Sequence, residues 1–197
     1  MIVSLSDKSQ PKETLAVKIV TGTYEEFVKV LQAAHVPIDR YGKEKAKTTR
    51  HLFEEVQSGE CELRLEDGRL TRSISVVGLN ITKGGRVLRE KSQTFYEGWR
   101  TRKRNLETSA GEKVRPGESL EEAKSRLIDE EFPILKPVEK QAKTLTPIVK
   151  TEESQSFPGV VTRYTIHVFE LEIPGVLPDF LVMEDDKFVE YEWIERS

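Results

Sequence analysis

Between Gly59 and Phe95 apolar and polar residues alternate, and two dipeptides, Asp67-Gly68 and Gly84-Gly85, interrupt the run. Period-two alternation fits strands with one buried face. Asp-Gly and Gly-Gly supply the positive φ that two-residue hairpin turns require. The stretch "ECELRLEDGRLTRSISVVGLNITKGGRVLREKSQTF" therefore predicts a β-meander, which "WRTRKRN" continues with a cluster of cations. A chain with this centre needs a second layer to cover the apolar face of its sheet.

The flanking segments change period. "LAVKIV" reads as a strand. Thr23 and Glu26 form a capping-box pattern, and Tyr24, Phe27, Val28, Leu31 and Ala34 follow at helical spacing. Pro37 stops that helix. After a basic loop, "RHLFEEVQSG" predicts a second helix closed by Gly59. A third helix is expected over residues 119 to 132, followed by strands in "KTLTPIVK", "GVVTRYTIHVFELEI" and "KFVEYEWI". Residues 1 to 13 are polar, contain Pro11, and are expected to be a loose terminus. Strands on both sides of one strong helix predict a mixed α/β sandwich.

Composition narrows the class. A net charge of −3 over 197 residues argues against a general nucleic-acid coat protein, though not against a local basic site. No apolar run approaches the roughly 20 residues that span a bilayer, and "MIVSLSDKSQPKE" lacks the pattern of a secretory signal. Cys61 is alone, which rules out an internal disulfide or a Cys-rich zinc site. It is expected to be a small buried hydrophobe. These features predict a cytoplasmic protein with no membrane association. His35, His51 and His167 lack metal-ligand spacing, and His167 is expected to be structural.

The third helix is strongly punctuated. Pro116-Gly117 makes a turn, Ser119 and Glu122 form a capping box, and Pro133 ends the helix. Its last turn carries Asp129, Glu130 and Glu131, where the macrodipole disfavours negative charge. A divalent cation, or nearby Arg or Lys, is needed to compensate.

In "GEKVRPGESLEEAKSRLIDEEFPI", residues 111 to 134, the sequence resembles the Nudix hydrolase family, whose pattern is G-x5-E-x7-R-E-U-x-E-E-x-G-U, U being a bulky aliphatic residue. Glu118, Arg126, Ile128, Glu130, Glu131 and Ile134 fall on its positions. Glu112, Leu127 and Pro133 depart from it, replacing a glycine, a glutamate and a glycine. The resemblance covers roughly residues 68 to 197. It implies a Nudix-like α/β/α sandwich with a mixed sheet, preceded by an N-terminal extension over residues 1 to 67.

The resemblance also implies chemistry. Glu130 and Glu131 would be Mg2+ or Mn2+ ligands, Glu118 a ligand or orienter, and Arg126 its orienting partner. Metal would clamp a diphosphate and polarise the attacked phosphorus, with water as the nucleophile. Positions 127, 130 and 131 share a helix face, so Leu127 removes one of three carboxylates. Arg100, Arg102 and Arg104 alternate on a predicted strand and are candidate phosphate contacts. Trp99 is expected in the core, with stacking on a nucleobase as the alternative. Glu112, Glu152, Glu153, Glu184, Asp185 and Asp186 are candidates for a further ligand or base.

Two functions follow. The first is metal-dependent hydrolysis of a nucleoside diphosphate derivative or another organic pyrophosphate. The alternative is a catalytically silent Nudix-fold module that binds a nucleotide, RNA or a protein partner, the last through the N-terminal extension.

Overall fold

The structure, a computed structural model, describes residues 16–19, 22–104, 106–174 and 180–196. The loose terminus expected over residues 1 to 13 lies outside them. The described chain is a mixed α/β fold built on a largely antiparallel sheet with one parallel pair at its centre.

Strands β1 (Ala16–Lys18), β2 (Glu62–Glu66) and β3 (Arg69–Lys83) pair antiparallel in sequence order along one edge. Both expected hairpin turns form. Glu66 faces Arg69 across Asp67-Gly68, and Lys83 faces Arg86 across Gly84-Gly85; all four turn residues have positive φ.

The expected meander stops there. β3 and β4 (Arg86–Phe95) pair at only two positions, Thr82 with Val87 and Lys83 with Arg86, and then diverge. The fully buried Ser109 lies in the fork. Its hydroxyl accepts from the Ile81 amide at 2.9 Å and donates to the Leu88 carbonyl at 2.7 Å. One side chain thus joins strands whose ladder has opened.

Released from β4, the middle of β3 pairs with β6 (Ala110–Lys113). Gly78 permits this approach: a Cβ there would lie 2.7 Å from Thr108 Cγ2. The other edge of β3 pairs in parallel with β9 (Val160–Glu172) from Leu70/Val160 to Thr82/Glu172. β7 (Lys143–Thr144) and β8 (Ile148–Glu153) pair antiparallel with β9. β4 instead joins β11 (Lys187–Glu195), which pairs with β10 (Phe180–Met183), a strand the sequence reading did not anticipate. β5 is Thr101–Arg102, against β4.

Helices cover opposite faces of the β3/β9 pair. α1 (Tyr24–Ala33) and α2 (Thr49–Gln57) have side-chain caps at Thr23 and Thr48, and α3 (Leu120–Glu131) is capped by Ser119 as expected. One core gathers Val77, Leu79, Ile81, Phe169 and Leu171 against Leu127 and Ile128 of α3. The other gathers Leu70 and Val160 with Phe27, Leu31 and Leu52. The β3 and β9 residues in the α3 core are odd-numbered, and those in the α1/α2 core, Leu70 and Val160, are even-numbered, as period-two geometry predicts. The second core also takes in Phe157, so the first 67 residues share packing with the rest of the chain. Cys61 is buried, as expected.

Candidate functional site

α3 presents its acidic end beside β6 and β11. At its entry, the Glu118 carboxylate accepts from Arg126 Nε at 2.8 Å and Nη2 at 3.0 Å, and from the Arg115 amide at 2.8 Å. Arg126 Nη2 also donates to the Lys113 carbonyl at 2.8 Å, which ties the helix to β6. The Arg126 guanidinium, with help from the Arg115 amide, holds the Glu118 carboxyl down at about 2.

The acidic last turn is compensated by protein cations. Lys136 Nζ lies 2.6 Å from Asp129, and Arg115 and Arg126 each lie 3.6 Å from Glu130. These contacts relieve the unfavourable charge at the helix C-terminus. Glu131 points inward and accepts from the Tyr191 hydroxyl at 2.9 Å. Burial pushes its carboxyl up to about 7, and the negative charges of Glu184 and Glu112 push the same way, against Tyr191 and Arg104.

Leu127 faces the core and is fully buried. The face expected to carry positions 127, 130 and 131 therefore turns across a boundary. Leu127 lies inside, Glu131 partly buried, and Glu130 half exposed. Glu118 is bound up with Arg126. Glu184 pairs with Lys187. Glu152 and Glu153 lie in β8. Among the described residues no three His, Cys, Asp or Glu side chains are grouped to hold a metal ion. Divalent Mg2+ or Mn2+ requires several convergent oxygen ligands, and the arrangement of Glu118, Glu130 and Glu131 does not fit one.

The basic segment also departs from expectation. A strand of only two residues cannot align three arginines on one face. Arg102 donates to Gln93 Oε1 at 2.5 Å and lies 5.3 Å over the Phe95 ring. Arg104 turns to Glu90 of β4, its Nε 3.0 Å from both carboxylate oxygens. Arg100 is exposed. Trp99, expected in the core, is 71% exposed and has positive φ. The reversal at Gly98-Trp99 turns it outward.

Arg102, Lys103 and Arg104 nevertheless line one side of a cavity of about 550 Å³, which Arg72, Lys150 and Tyr164 line from β3, β8 and β9. That volume lies within the usual range of small-molecule sites. Arg104 links the cavity to the acidic helix through its charge interaction with Glu131. Sequence reading missed Arg72, Lys150, Tyr164 and Tyr191. Arg72 had a signal: it sits between Leu70 and Ile74 on the inward side of an alternating strand.

No family model matches this chain, and no curated protein matches it. Among solved structures, it is similar to DR0079 from Deinococcus radiodurans, with 16% identity, 62% of this chain and 67% of that one covered, and a TM-score of 0.35. It is also similar to the C. elegans Ap4A hydrolase, with 18% identity, 62% and 80% coverage and a TM-score of 0.36. A binary complex of the C. elegans Ap4A hydrolase gives 20% identity, the same coverage and a TM-score of 0.38. These overlaps are partial, and the β3/β9 pair with its helices on both faces is read from the structure itself.

Proposed function

We propose that this chain is a Nudix-type domain that binds a nucleoside diphosphate derivative or a related organic pyrophosphate without metal-dependent turnover. The burial of Leu127 carries this reading. The position at which the resemblance calls for a carboxylate belongs to the hydrophobic core, so restoring a ligand set would require repacking. The cavity keeps what binding needs. Arg102, Lys103 and Lys150 supply positive charge for phosphates, and Tyr164 and Ile166 supply apolar surface for a flat group.

Calorimetric titration with ADP in the presence of EDTA tests this. Binding is expected, weakening at least tenfold in Arg102→Glu and falling as salt rises. An unaltered chain that binds ADP only when Mg2+ is added would overturn it.

One observation favours a second reading, hydrolysis of the same ligand class. Arg104, which lines the cavity, interacts with Glu131, whose carboxyl is raised by burial to about 7, the range suited to a general base. Phosphate release from a panel of nucleoside diphosphate derivatives, lost in Glu131→Gln, would establish it in place of the first.

A further inference from the structure

Part of the cavity lining is held by residues that do not themselves line it. Arg72 and the loop bearing Ser154, Gln155 and Ser156 form this wall. The Arg72 side chain is almost completely buried and is paired with Glu55 of α2, which is equally buried. Lys47, on the loop before α2, holds Glu55 from the other side, with Nζ to Oε1 at 2.9 Å. The same Lys47 donates its backbone N–H to the Ser156 carbonyl at 2.8 Å.

Three further contacts fix the loop. The Tyr41 hydroxyl donates to the Pro158 carbonyl at 3.2 Å. Pro37 packs so closely on Gly159 that a Cβ there would lie 2.5 Å from its Cδ. Phe157 is fully buried in the core beneath α1 and α2, with the Arg72 guanidinium 4.9 Å from its ring centroid. Two of these contacts run directly from residues 47–55 to residues that line the cavity, Glu55 to Arg72 and Lys47 to Ser156, and those of Tyr41 and Pro37 hold the same loop just beyond it. The N-terminal segment, which the sequence offered as a surface for a protein partner, also packs on this loop.

We propose that the N-terminal helical segment is an integral clamp on the ligand site, with Lys47, Glu55 and Tyr41 as positioning residues that set Arg72 and the 154–159 loop for an anionic organic ligand. This rests on the reading of the cavity as a diphosphate-binding site. A preorganised wall spares the ligand the ordering of a mobile loop. A buried guanidinium whose one carboxylate partner lies outside the cavity keeps its orientation before ligand arrives.

The test uses the full chain and ADP as probe. Glu55→Gln leaves a buried cation without its carboxylate and is expected to impair folding, so the informative variants are Lys47→Met, at a partly exposed position, and Tyr41→Phe, which keeps the buried ring and removes only its hydroxyl. Each should remain folded by circular dichroism. Amide hydrogen exchange at Phe157 and Val160 should accelerate at least tenfold in the ligand-free Lys47→Met protein. The Kd for ADP should rise about threefold in Tyr41→Phe and tenfold in Lys47→Met. A merely structural role would change exchange or melting but not the Kd. If Arg102→Glu weakens ADP binding while both clamp variants bind as the unaltered chain does, the clamp is refuted and the cavity reading stands. If the unaltered chain does not bind ADP, both are refuted.

Discussion

Tyr191 donates its hydroxyl to Glu131 at 2.9 Å, and directly across the β4/β11 ladder from Tyr191 stands Glu90, which holds Arg104. Through these two pairs the acidic end of α3 and the basic segment 102–104 meet at one place in the fold. Charge that looks separate in the sequence is mutually compensated there.

Glu131 gives a pH signature. Its carboxyl is raised to about 7 in the folded chain, against an ordinary value of 4.5. The folded state thus holds a proton that the unfolded state releases between those values. Stability should fall as pH rises through that window, and the full penalty should be present above about 7. Glu131→Gln keeps an acceptor for Tyr191 and removes the ionisation. Urea denaturation should show the variant more stable by about 1–3 kcal/mol at pH 8, with the difference vanishing below pH 5.

Glu118 should behave in the opposite sense. Arg126 holds it at about 2, so its contribution is present above its unfolded value and lost as pH falls towards 2. Glu118→Gln should cost about 1–2 kcal/mol at pH 7, allowing for the pair's position near solvent. The same comparison at pH 2.5 should find most of the difference gone.

Leu127→Glu tests whether the acidic face can be completed. The side chain would enter a site of zero exposure among Leu79, Phe169 and Ile128. Burying a carboxylate there should cost roughly 3 kcal/mol or more. The melting temperature should drop and should not recover on adding Mg2+. A gain of several degrees with Mg2+ would mean that the helix turns its face outward when a carboxylate is supplied.

Ser109→Ala removes both bonds that join the diverging β3 and β4. The Ile81 amide and Leu88 carbonyl would be left buried without those partners. The expected loss is about 1–3 kcal/mol, read as a lower urea midpoint with an unchanged slope.

Local signals in the sequence determined the elements. The Thr23 and Ser119 caps, the Asp67-Gly68 and Gly84-Gly85 turns, and the strand alternation all depend on residues near one another in the chain, so spacing alone reveals them. The placement of Arg126 opposite Glu118 was legible too, because one helix and its entry loop bring them together. Partnerships between distant segments were not. The opening of β3 from β4 around Ser109, the parallel pairing of β3 with β9, the outward turn of Trp99 and the capture of Arg104 by Glu90 each join residues that no spacing rule relates. The same holds for Leu127: a helical repeat says which residues share its face, but the sheet packed against that face decides how much of it lies in the core, and here the boundary falls between Leu127 and Glu130.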